Sequence, residues 1–134
     1  MAEGEQRQTM DLPETGVFDP HAFRHFSKEG ATVVRLHADE DLSLVTWNLE
    51  EGQENQLHRH GDNAHTILIL EGSGEYLRGE GQPGLPVRTG ECIVVPRGQP
   101  HGIRNTGKGR LSYLAVTNQG AHGYVKERLA GGGE

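Results

Sequence analysis

Turns cut this chain into short pieces. Asp39-Glu40-Asp41, Gly61-Asp62-Asn63, Gly72-Ser73-Gly74, Pro96-Arg97-Gly98 and Gly107-Lys108-Gly109 all consist of residues that favour reversals. Between them lie short runs rich in β-branched and aliphatic residues: Ala31 to Ala38, Leu42 to Leu49, Ala64 to Glu71, Cys92 to Val95, His101 to Asn105 and Leu111 to Thr117. A helical bundle needs longer periodic segments. The pattern therefore predicts an all-β fold of about eight to ten short strands, a β-sandwich or jelly-roll barrel. At 134 residues the chain suits one domain with a single core.

The ends read differently. Residues 1–16 are polar without apolar periodicity and are expected to form a flexible tail, as are residues 127–134, leaving 17–126 as the domain. Asp19-Pro20 looks like an N-cap followed by a first-turn proline. Phe23 and Phe26 would then share one face of a short helix ending before Gly30. His21 and His25 on that helix, and His37 beside the acidic turn, read as surface residues. Trp47 reads as core filler or one wall of a pocket, Tyr76 and Tyr113 as core aromatics, and Cys92 as a small buried residue.

Charge narrows the partners. With 13 basic and 19 acidic residues the formal net charge is -6, and no Lys/Arg cluster stands out, so nucleic acid is not an expected partner. No apolar stretch approaches the ~20 residues of a membrane span, and the N-terminus has no secretory apolar region. A single cysteine cannot form an internal disulfide, which suits a reducing compartment and a cytoplasmic location.

The chemistry-bearing residues are histidines. His58, His60 and His65 fall within eight residues, inside the stretch from Gly52 to Gly72. Side chains two apart on a strand share a face, so His58 and His60 should converge, and His65, Ile67 and Ile69 should alternate onto one side of the next strand. His101 follows the Pro96-Arg97-Gly98 turn. An HxH pair, a third histidine five residues on and a fourth after a turn point to a transition-metal site, because neutral imidazole is the commonest protein ligand for such ions.

These two stretches resemble the paired motifs of the cupin superfamily of small double-stranded β-helix barrels. The first reads Gly52, five residues, His58-x-His60, four residues, His65, six residues, Gly72. The second reads Gly90, five residues, Pro96-x-Gly98, two residues, His101, three residues, Asn105, a match at every position. One departure stands out: the family's usual glutamate is replaced by His65. The resemblance implies a metal site of His58, His60, His65 and His101, or three of them if His65 turns away. It would hold a divalent transition metal, iron first, with manganese, nickel, copper and zinc compatible.

The resemblance also implies a small-molecule substrate, a homodimer and a metal-dependent enzyme, with dioxygenase-type oxidoreductase chemistry as first expectation. Non-redox lyase or isomerase chemistry and a non-catalytic ligand sensor are the alternatives. The usual proton-taking glutamate would be missing. Arg97 and Arg104 flank His101 and either hold a carboxylate substrate or lie on the surface, while Ile67, Ile69 and Val95 would keep the pocket dry.

Overall fold

A computed structural model describes residues 6–59 and 61–118. The strands are β1 (Gln6–Thr9), β2 (Thr32–Ala38), β3 (Leu42–Leu49), β4 (Glu54–His58), β5 (His65–Glu71), β6 (Ser73–Leu77), β7 (Leu85–Arg88), β8 (Cys92–Val95), β9 (His101–Arg104) and β10 (Leu111–Asn118). They form a six-stranded sheet, β1-β2-β3-β10-β5-β8, and a four-stranded sheet, β4-β9-β6-β7. Pairing is antiparallel except for β1 with β2. The expected all-β jelly-roll architecture is what the chain adopts.

The core lies between the sheets. Ile67 and Ile69 of β5, Ile93 and Val95 of β8 and Tyr113 of β10 meet Tyr76, Val87 and Ile103 of the smaller sheet in one buried cluster. The alternation foreseen for His65, Ile67 and Ile69 holds, all three being buried. Burying each aliphatic side chain stabilises the fold by roughly 1.5–3 kcal/mol. Closure thus rests on alternate positions of strands distant in sequence.

Three expectations need correction. Part of the presumed N-terminal tail is a strand: Gln6–Thr9 pairs in register with Thr32–Arg35, and the Met10 amide continues the pairing onto the Arg35 carbonyl. An edge strand held by backbone hydrogen bonds needs no apolar alternation, so nothing in its side chains announced it. Cys92 is exposed, not buried. β8 turns Ile93 and Val95 inward, which sends Cys92 and Val94 to the other face.

The short helix shrinks to one 3-10 turn, Pro20–Ala22, which Asp19 caps as expected. Beyond it the chain becomes a strap over the outer face of the larger sheet. The Thr46 hydroxyl donates to the Phe23 carbonyl at 2.7 Å, the Thr32 hydroxyl to the His25 carbonyl, and the Gln53 amide to the Ser27 carbonyl at 2.8 Å. Carbonyls engaged in this way have no need of a helix. Arg24 pairs with Glu71, and His21 reaches the Leu70 carbonyl at 3.2 Å. His37 sits on the surface against Asp39, as read from the sequence.

One end of the barrel is tied shut. Asn105, 2% exposed, donates to the carbonyls of Leu49 (3.1 Å) and Gly109 (2.9 Å) and accepts from the Gly107 amide (3.1 Å). Its own amide and carbonyl bond to Gln53 and Gly52. Gly72 closes the neighbouring corner with a φ of 88°, where a Cβ would collide with the Arg110 carbonyl. Motif residues Gly52, Gly72 and Asn105 are architectural.

Candidate functional site

The other end of the same strands carries the histidines. On β4 and β9, His58 stands directly opposite His101, and their ring centroids are 4.3 Å apart. The strands approach closely because position 102 is glycine: a Cβ there would sit 2.8 Å from the Asn55 carbonyl oxygen. A register shift between Asn55 and His58 bends β4, the usual way a bulge re-aims a side chain. His65 begins β5 on the facing sheet, and its ring centroid lies 4.7 Å from that of His101. His65 and His101 are buried and His58 is half-buried.

Backbone carbonyls orient two of these rings. His58 Nδ1 bonds to the Gln56 carbonyl at 2.6 Å and His101 Nδ1 to the Gln99 carbonyl at 3.2 Å. A carbonyl only accepts, so Nδ1 carries the proton, and the neutral ring presents its lone pair at Nε2. That second bond is what metal-ligating histidines ordinarily make. In type and tautomer the donors therefore fit a transition metal. Among the described residues no group of three or more His, Cys, Asp or Glu side chains is arranged to hold a metal ion. His60, the fourth expected ligand, lies outside the described residues, as does the strand alternation expected to bring it beside His58.

These histidines line a cavity of about 280 Å³ walled by both sheets. Val45, Ile67 and Ile103 form its apolar side, and Ser43, Asn63 and Thr117 contribute polar groups. Trp47, expected as core filler or a pocket wall, packs against the core and lines this cavity, and the core residue Tyr113 lines it too, with Asn55 donating to the Tyr113 hydroxyl at 3.0 Å. No aspartate or glutamate lies among the described lining residues.

The arginines singled out beside His101 do not reach the cavity. Arg104 turns outward to Glu54 at 2.7 Å and Glu75 at 3.8 Å, and the hydrogen bond that it donates to Glu54 raises its pKa. Arg97 is exposed in its turn and does not line the cavity. Arg35 of β2 does line it and went unnoticed in the sequence. Its signal was there: in the run Val33-Val34-Arg35-Leu36, Arg35 shares a face with Val33 and interrupts an otherwise apolar strand.

A cupin-domain family model matches residues 45–117. Among solved structures, an uncharacterized conserved protein with a double-stranded beta-helix domain from Klebsiella pneumoniae superposes with a TM-score of 0.75 at 24% identity, over 80% of this chain and 87% of the other. An RmlC-like cupin protein from Desulfovibrio desulfuricans gives a TM-score of 0.65 at 26% identity, covering 72% and 89%. A protein described as a predicted oxalate decarboxylase, from Thermotoga maritima, gives 0.60 at 25% identity, covering 66% and 79%. No curated protein matches the sequence.

Proposed function

This chain belongs to the cupin family, and from that membership we infer that it is a small metal-dependent enzyme acting on a small organic substrate. The observation that carries the reading is the gathering of His58, His65 and His101, from strands of both sheets, at one small cavity. His60 would complete the ligand set. A bound divalent transition metal would supply Lewis-acid polarisation of a chelating substrate and, if redox-active, access to dioxygen. Iron is the first choice on that account, and dioxygenase-type oxidoreductase chemistry the first reaction class.

The protein's own groups have definite tasks in this reading. The Gln56 and Gln99 carbonyls hold His58 and His101 in the ligating tautomer. Val45, Ile67 and Ile103 keep water from one side of the substrate and so strengthen charge interactions within the cavity. With imidazole at position 65, no carboxylate there offsets a cation's charge or takes a proton from substrate.

A second reading, non-redox decarboxylase or lyase chemistry, is favoured by the likeness to the Thermotoga maritima protein described as a predicted oxalate decarboxylase. Elemental analysis of protein purified without chelator or affinity-tag metal tests both. Bound iron, manganese or copper, with substrate turnover that stops without oxygen, is the expected result. Full anaerobic turnover would transfer the assignment to the second reading. Protein that retains no metal and regains none on titration would sink both.

A further inference from the structure

Arg35 is misplaced for a structural residue. Its register partner Val45 pairs with Ala115, which pairs in turn with Ile67, so Arg35 stands in one row of an apolar inner face. His65 lies two residues along β5 from the end of that row, on the same face. Arg24, Arg88, Arg104 and Arg110 each pair with a carboxylate on the surface. Arg35 has no ion pair among the described residues, and no acidic side chain is among the described residues that line the cavity. A guanidinium in such a wall is matched by an oxyanion, which its planar fork binds with two parallel hydrogen bonds.

We propose that Arg35 is the anion-holding end of the cavity, which takes a small organic oxyanion, a carboxylate or phosphate ester. The charged group lies on Arg35 and the remainder points toward His58, His65 and His101. Along the sheet β2 and β5 are three strand spacings apart, roughly 14 Å, a gap that the long arginine side chain narrows to the scale of a small molecule. At about 280 Å³ the cavity has the volume of about nine waters, room for such a ligand and little more. This identification of the substrate's charge rests on the enzymatic reading of the same site.

The chain's one tryptophan, Trp47, lines the cavity and reports occupancy by its fluorescence. Malonate, inorganic phosphate and uncharged malonamide are titrated into protein as purified and again after chelator treatment. Malonate or phosphate should change the Trp47 signal saturably while malonamide does not. Arg35→Gln should weaken the binding anion about ten- to a hundredfold, with Arg35→Lys intermediate, because a bidentate charged hydrogen bond is lost. Arg35 is exposed and has no ion pair among the described residues, so both variants should keep the wild-type melting midpoint, which is measured alongside. Wild-type affinity in Arg35→Gln, or no response to either anion at millimolar concentration, overturns the proposal. Because the chelated sample is read separately, a protein that binds no metal but shows Arg35-dependent anion binding refutes only the metal reading.

Discussion

The two ends of the barrel use the same strands for opposite purposes. β9 and the residue after it make the contrast within five positions, His101 at the cavity and Asn105 at the closed end. At Asn105 the side-chain amide and oxygen all engage backbone groups nearby, tying the β9–β10 turn to the end of β3. At His101 the Nδ1 nitrogen is held by a backbone carbonyl, and the ring edges into a space shared with His58 and His65. One half of the motif builds the frame, and the other holds imidazoles where a ligand can reach them. A motif match therefore carries two kinds of information, and stability and binding should separate when its residues are changed.

The largest expected effect lies at the closed end. Asn105→Ala should lower stability by roughly 2–4 kcal/mol, since it strands the buried carbonyl of Leu49 and removes part-buried hydrogen bonds to the Gly109 carbonyl and the Gly107 amide. Denaturant titration reads the loss; metal affinity of the remaining folded protein should stay near wild type. A stable variant that had lost metal would erase the distinction between the ends.

The open end should respond the other way. His101→Ala should cost more than a hundredfold in metal affinity, beyond what the loss of a group orienting a ligand brings, yet leave most of the folding stability. His65→Ala should also cut metal content, by direct metal titration. Unchanged stoichiometry and affinity in that variant would remove His65 from the ligand set and leave a three-histidine site.

The smallest effect belongs to His21 on the strap, which does not line the cavity. Asp19 and then the Leu70 carbonyl accept from the two nitrogens of His21 and raise its pKa above the usual 6.5. Only the protonated ring can donate to both. Its contribution is therefore fully present below pH 6.5 and is lost as the pH rises through the higher folded-state value. The melting difference between wild type and His21→Ala should shrink from acid to alkaline pH while metal affinity stays constant. A difference that grew with pH would contradict that hydrogen-bond arrangement.

Strands and turns were legible because both are local. Alternation in His65-Thr66-Ile67-Leu68-Ile69 needs only the pleat, and a run such as Gly72-Ser73-Gly74 announces its own reversal. Cys92 was misread because Cys92-Ile93-Val94-Val95 is apolar throughout and shows no alternation to mark its inward face. Arg35 hid for a related reason. The strap covers the outer face of β2 while the core covers the inner, so Thr32, Val33, Val34 and Leu36 are all buried and no alternation marks the face that Arg35 shares. The helix failed because Thr32, Thr46 and Gln53, later in sequence, claim the carbonyls of the strap.

By itself the sequence determined the division into short strands, the family motifs and the spacing of the histidines, since these depend on neighbouring residues and the period of the pleat. The tertiary structure alone decided that His101 meets both His58 and His65, that Trp47 and Arg35 face the same cavity, and that Arg104 does not. Those outcomes depend on the register between strands far apart in the chain and on the closing of one sheet over the other. A shift of a single residue would turn each side chain to the opposite face.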